Sequence, residues 1–287
     1  GLDIPHPRLS WKMGTTVAVR GQRQTAYQVL VASSRELLDK EQGDLWDSGQ
    51  VHSDESVHIV YDGKTLITGQ KCFWKVRLAD EQGNWTSWSE PAYWQMGLFA
   101  DDWSAHWIGS AEMESQSVGG RPVDNKMFDP WFRKTFTLTE SLKEALIYVA
   151  SIGYHELYVN GCKIGNAVLA PSVTDHKSRA RYVTYDISHY LKKGENVIAL
   201  WLGTSWAVFP AYQRNDKPAI PMALAQAEIT LTSGSKVRVI TDGSWKTHAS
   251  PNVLMGYWDA HHFAGEFYDA SLEINGWNEA GFDDSEW

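Results

Sequence analysis

The sequence predicts an all-β fold, and three observations carry that prediction. Apolar and polar residues alternate along most of the chain, as half-buried strands require, while sustained 3.6-residue periodicity is nearly absent. Turn signals recur between the alternating runs, the clearest being Asp62-Gly63, Gln82-Gly83-Asn84 and Asn160-Gly161. At 287 residues the chain is long enough for two domains, each able to bury a core of its own.

The elements follow in order. Gln24 to Ala32 reads as a strand with Tyr27, Val29 and Val31 on one face, and Ser34 to Lys40 is the best helical candidate. Cys72 to Asp80 is the next strong strand, with Trp74, Val76 and Leu78 on one face. This spacing implies a small sandwich of about 100 residues that closes near Gly97, so the domains are placed at 1–98 and 99–287. Asp101 to Ile108 opens the second unit, and Ser110 to Asp129, polar and rich in Gly and Pro, reads as a long loop within it. Strands return at Trp131 to Leu138, Ala145 to Ser151, Tyr154 to Val159, Arg181 to Tyr185, Val197 to Leu202, Ala223 to Leu231 and Lys236 to Thr241. Asn160-Gly161 predicts a two-residue type I′ hairpin, because both central positions of that turn need positive φ. Asp186-Ile187-Ser188 reads as the start of a single helical turn. Gly265 to Trp287 is acidic and aromatic.

Composition narrows the function. With 21% charged residues and a net charge of −9, the chain lacks the dense basic face that nucleic acid or an anionic membrane selects. No apolar run approaches the roughly 20 residues that cross a bilayer, and Gly1 opens the chain without a signal-peptide pattern. Cys72 and Cys162 fall in different predicted domains, which argues against a disulfide framework. The 15 tryptophans and 12 tyrosines fit either sandwich cores or sugar-stacking surfaces.

Several stretches together resemble one family. At the amino end these are Asp3-Ile4, Pro7-Arg8-Leu9-Ser10-Trp11, Gly43-Asp44-Leu45-Trp46-Asp47-Ser48-Gly49 and Phe73-Trp74-Lys75-Val76-Arg77. The pattern continues through Trp88-Ser89-Glu90, Met96-Gly97-Leu98, Asp102-Trp103 and Trp107-Ile108-Gly109. Further on come Arg133-Lys134-Thr135-Phe136, Gly153-Tyr154, Glu156 to Gly161, Tyr182 to Ile187, Gly265 to Ala270, Gly276-Trp277-Asn278 and Phe282 to Trp287. Nearly the whole chain thus resembles the leading, non-catalytic modules of bacterial α-L-rhamnosidases of glycoside hydrolase family 78. The resemblance implies a fibronectin-III-like β-sandwich followed by a jelly-roll, galactose-binding-like sandwich. It places hydrolysis on a later all-helical barrel with two opposed carboxylates, for which this chain has neither the length nor the amphipathic helices. It also implies a secreted or periplasmic parent, a rhamnose-containing glycan as ligand, and the downstream catalytic domain as partner. The chain alone is expected to be non-catalytic.

Each candidate site residue has a structural role beside its functional one. Gly203 to Asp216 follows an apolar strand yet carries Trp206, Phe209 and Tyr212 beside Arg214, the composition of a loop that stacks on pyranose faces and reads hydroxyls, or equally of a loop that packs its own aromatics. The calcium-dependent rhamnose site that some family members carry in this module would fall nearest Asn160, Asp175 and this loop. Two motif departures, Pro171-Ser172-Val173-Thr174 and Gly203-Thr204-Ser205-Trp206, put its usual pocket in doubt, and calcium needs six to eight oxygen ligands. Asp259, His261, His262 and Glu266 form the one cluster resembling a transition-metal site, but neighbouring strand residues face opposite sides and hydrogen bonding explains them better. Asp101-Asp102 and Asp283-Asp284 suit turns and caps rather than acid–base pairs. Trp85-Thr86-Ser87-Trp88-Ser89 fits the Trp-Ser-x-Trp-Ser pattern of cytokine-receptor domains apart from Thr86. It is read as a ladder stacking with Lys75 and Arg77; the alternative is a structural or receptor-type adhesion pair that binds a protein. No nucleophile elbow, phosphate loop or dinucleotide fingerprint occurs.

Overall fold

The computed structural model describes residues 1–14, 20–110, 126–176, 178–204, 207, 220–255 and 265–287. Two units emerge, Gly1–Trp103 and Ser104–Trp287, and both are built from antiparallel β-structure. The free cysteines fall one in each, Cys72 buried and Cys162 exposed.

In the first unit, β1 (Arg8–Leu9) pairs with β4 (Ile59–Val60), and a four-stranded sheet runs in the order β3 (Trp46–Asp47), β2 (Ala26–Ala32), β5 (Lys71–Ala79), β6 (Ala92–Gln95). Alternation along β2 sorts its side chains as the sequence predicts. Tyr27, Val29 and Val31 join Leu9, Tyr61, Cys72, Val76 and Met96 in the main core, while Leu30 and Ala32 meet Leu38 of α1 (Arg35–Asp39) on the other face. The helix starts at Ser34, whose hydroxyl accepts from the Leu37 N–H.

The predicted ladder is present. The Arg77 guanidinium lies 5.2 Å from the Trp85 ring and 4.7 Å from the Trp88 ring, and Lys75 Nζ lies 5.1 Å from Trp88. Along the same stretch the Thr86 and Ser89 hydroxyls accept from the Leu78 and Val76 N–H groups, both at 3.1 Å, so side chains complete the edge of β5.

The second unit is a sandwich of two sheets. One has the order β11 (Cys162–Lys163), β10 (Tyr154–Val159), β13 (Gly194–Gly203), β8 (Lys126–Leu138), β16 (Lys246–Met255), β17 (Gly265–Tyr268). The other has the order β12 (Tyr182–Asp186), β9 (Leu142–Ile152), β14 (Met222–Leu231), β15 (Lys236–Ile240), and β7 (Ile108–Gly109) also pairs with β14. Between them lies a core of Phe132, Ile147, Val149, Leu157, Ile198, Leu200, Ala225 and Ile229, each alternating with outward residues along its strand.

Two sequence expectations are corrected. The end of the expected loop, Lys126 to Asp129, is already the start of β8, which pairs with Val253 to Met255 of β16 across a register shift. The β16 strand itself lacked a signal, because Ser250-Pro251-Asn252 interrupts its alternation at that shift. Asp186 is the last residue of β12, and a hydrogen-bonded turn rather than a helical one follows at Ser188 to Tyr190, with the Ser188 N–H donating to the Asp186 carboxylate at 3.0 Å and the Tyr190 N–H to the Ile187 carbonyl at 3.1 Å.

Candidate functional site

The β10–β11 hairpin closes through Asn160 at φ 49° and Gly161 at φ 82°, as a type I′ turn requires. The Asn160 amide is occupied within the fold. Its oxygen accepts from the Val197 N–H at 2.9 Å, and its nitrogen donates to the Tyr190 carbonyl at 2.8 Å and to Asn196 Oδ1 at 2.9 Å. Asn196 is itself buried and closes the 192–196 turn through the Lys192 and Gly194 carbonyls. Asp175 sits exposed in a separate turn, accepting from the Ser178 hydroxyl at 3.1 Å.

Trp206, Phe209, Tyr212 and Arg214 lie outside the described residues, as do Asp259, His261 and His262. The point where their segment leaves β13 is described, and it is held from two sides. Asp129, 2% exposed, accepts from the Thr204 N–H at 2.7 Å and the Thr204 hydroxyl at 2.5 Å through one oxygen, and from Asn252 Nδ2 at 2.5 Å through the other. On the other side the chain approaches so closely that a Cβ on Gly153 (φ 96°) would stand 2.2 Å from the Gly203 carbonyl oxygen. Burial pushes the Asp129 carboxyl up to about 6, against the pull of its three donors, and the Glu266 charge adds to the rise. Sequence reasoning missed Asp129 because an Asp-Pro pair after a polar stretch reads as a turn.

A second buried polar chain runs from Ser151 through His155 to Tyr185. His155 Nδ1 lies 2.9 Å from the Ser151 hydroxyl and Nε2 lies 3.0 Å from the Tyr185 hydroxyl. A Ser–His contact invites a nucleophile reading. However, Ser151 is fully buried, its hydroxyl donates to the Gly153 carbonyl, and burial pushes the imidazole down to about 4. The group is therefore a hydrogen-bond chain whose serine proton is committed to the backbone and whose imidazole is a weakened base.

The carboxylate pairs are likewise engaged. Asp102 meets the Thr68 hydroxyl, Asp283 caps the Ser285 N–H at 3.1 Å, and Asp284 forms an ion pair with Arg133. That ion pair goes beyond the turn role that sequence suggests. Among the described residues no group of three or more His, Cys, Asp or Glu converges as a metal site. Of the residues nearest the family's calcium site, the Asn160 oxygen accepts from the Val197 N–H and the Asp175 carboxylate from the Ser178 hydroxyl.

The family model for the "Alpha-L-rhamnosidase N-terminal domain" matches residues 140–287, and that for the "Rha78A-like, N-terminal immunoglobulin domain" matches residues 1–100. An α-L-rhamnosidase of Formosa agariphila is 33% identical over 98% of this chain and 30% of its own length. One from Alteromonas sp. is 32% identical, with 98% of this chain and 30% of the relative covered. The α-L-rhamnosidase structure from Dictyoglumus thermophilum matches at TM-score 0.84 and 36% identity, over 100% of this chain and 32% of that one. The Streptomyces avermitilis α-L-rhamnosidase complexed with L-rhamnose matches at TM-score 0.82 and 23% identity, over 100% and 43% of the two chains, a likeness of fold alone. The chain therefore spans about 30% of the length of these two curated relatives.

Proposed function

This chain belongs to the α-L-rhamnosidase N-terminal domain family, and from that premise we propose that it is the non-catalytic accessory region of an α-L-rhamnosidase whose second module holds a rhamnose-containing glycan. The observation that carries the reading is the Asp129–Thr204–Asn252 anchor, which fixes the root of the segment bearing Trp206, Phe209, Tyr212 and Arg214. A rigid sandwich that holds such a root lets aromatic rings meet a pyranose face at low ordering cost, with Arg214 and Asp175 reading hydroxyls. Asn160, its amide already bonded, shapes the neighbouring turn. Hydrolysis then belongs to the downstream catalytic domain, and an extracellular or periplasmic setting suits a glycan ligand.

Titrating methyl α-L-rhamnopyranoside into the chain, with and without calcium, tests this by calorimetry. Weak binding that Trp206→Ala diminishes is expected; absence of any heat at millimolar sugar, or heat that Trp206→Ala leaves untouched, rejects the reading. An aryl rhamnoside incubated with the chain is expected to yield no product.

A second reading, support for the downstream domain, is favoured by a separate observation. The edge strand β17 and the turn after it leave Phe267, Tyr268 and Leu272 at 55%, 46% and 55% exposure. If that surface is a packing face, adding the downstream chain raises the melting temperature and leaves sugar affinity unchanged.

A further inference from the structure

The first unit contains an open cleft of about 250 Å³ floored by Trp74, Val76 and Leu78 of β5 and walled by Trp11. The Trp11 ring is held in one orientation. It stands edge-on to Tyr27 with centroids 5.1 Å apart, its indole N–H donates to Gln24 Oε1 at 2.9 Å, and its backbone N–H donates to the Ser56 carbonyl at 3.0 Å. Gln24 is 2% exposed and in turn donates to the Ser53 and Glu55 carbonyls at 3.0 and 2.8 Å, so the wall rests on a buried, satisfied group. Thr86 and Ser89 also line the cleft, but their hydroxyls are committed to β5. Exposed Lys12, Ser87 and Glu90 remain as the polar groups of the rim.

A fixed aromatic wall, an aliphatic floor and a few polar groups at the mouth match the two sides of a pyranose, one lined with C–H bonds and one with hydroxyls. The opposite charges of Lys12 and Glu90 give the rim no preference for an ionic ligand. A volume of this size admits one or two rings, and the methyl group of a 6-deoxy sugar would suit the Val76 and Leu78 floor. We propose that this cleft is a saccharide subsite of the first module, taking one or two neutral 6-deoxyhexopyranose rings. The choice of sugar rests on the rhamnosidase reading above; the existence of the site rests on the cleft.

The test follows the tryptophan indole N–H signals of the full 287-residue chain by NMR during titration with methyl α-L-rhamnopyranoside. The Trp11 and Trp74 signals are expected to shift with half-saturation in the millimolar range. Ser87→Trp, which fills the cleft from its exposed rim and leaves the core untouched, is expected to weaken the response about tenfold, and Glu90→Ala about threefold. Trp206→Ala in the second unit is expected to leave the response unchanged. No movement of Trp11 and Trp74 at tens of millimolar sugar, or a response indifferent to Ser87→Trp, overturns the subsite, while sugar binding that only Trp206→Ala removes would leave the second-module reading standing. Equal binding of methyl β-D-glucopyranoside would overturn the deoxy-sugar assignment. A response in the first unit with none in the second would support the subsite and sink the other reading.

Discussion

Arg133 and Asp284 form an ion pair on the face of the six-stranded sheet turned away from the core, with the arginine side chain 1% exposed and the aspartate 26%. The same guanidinium donates to the Glu279 carbonyl at 2.9 Å and stands 5.1 Å from the Phe282 ring. Two residues earlier on β8, Trp131 stacks on Trp277 at 4.5 Å and 11°, with Trp287 nearly parallel to it at 6.2 Å. Alternation along β8 puts Trp131 and Arg133 on one face, and the 274–287 segment covers both. The sheet thereby gains a second small core, closed by charge at one point and by stacked indoles elsewhere.

Asp284→Ala should therefore cost about 3–5 kcal/mol, because it leaves a guanidinium buried without its counter-charge. Thermal melts would show the loss, and tryptophan emission should move to longer wavelength as Trp277 and Trp287 become wetter. Arg133→Met combined with Asp284→Leu should recover much of the stability, since the buried charge is then gone altogether. A double variant as unstable as Asp284→Ala would contradict this account.

Two buried groups should cancel one another in acid. Asp129 titrates near 6 instead of 3.8, so its stability contribution is full below the unfolded value and falls as pH rises from about 4 to 6. His155 titrates near 4 instead of 6.5, so its contribution is full above the unfolded value and is lost as pH falls from 6.5 to 4. Each amounts to about 3 kcal/mol at 1.36 kcal/mol per pKa unit, with opposite sign over the same window. In Asp129→Asn, Asn252 can turn its amide to accept where it formerly donated, and stability should then rise with pH between 4 and 6.5 relative to the wild type. His155→Gln, which keeps polar atoms for Ser151 and Tyr185, should do the reverse. Urea denaturation at several pH values measures both, and parallel curves for the three proteins would refute the pairing.

The fold was legible where one face of a strand is buried and the other is wet. Tyr154–Val159 coincides residue for residue with its prediction because buried and half-buried positions alternate without interruption. The β16 strand was not legible, because its Ser-Pro-Asn centre serves a register shift that only the partner strand reveals. Among site residues, the loop aromatics announced themselves by composition, but Asp129 and Arg133 did not. A charge in a strand reads as a solvent-facing position, and the aspartate that neutralises Arg133 lies 151 residues further along the chain. Asn160 was found for its turn, and the three bonds that occupy its amide come from residues 30, 36 and 37 positions away.

In the first unit, Arg77 joins three contacts that should be measurable together. It stacks near Trp85 and Trp88 and donates twice to Gln28 Oε1, at 3.0 and 2.7 Å. Arg77→Ala should destabilise this unit by about 1–3 kcal/mol, from lost cation–π contacts and a charge-assisted hydrogen bond. Arg77→Lys should lose less, since it keeps the charge over the rings but not the planar fork. Denaturant curves would place the change in the transition reported by first-unit tryptophans, with second-unit probes unmoved.

Asn160 offers the sharpest separation of folding from binding. Asn160→Gly keeps the positive φ but gives up three hydrogen bonds, an expected loss of about 1–3 kcal/mol. Asn160→Asp keeps the size and the tolerance of φ near 49°, yet turns a donor into a carboxylate oxygen facing the Tyr190 carbonyl and Asn196 Oδ1, so it should be the more damaging change. If Asn160 only shapes the turn, sugar affinity measured at a temperature where both variants stay folded should follow the wild type. Affinity lost in Asn160→Gly while its denaturation midpoint is preserved would instead place the amide in contact with the glycan, and the three internal bonds would have to give way in the complex.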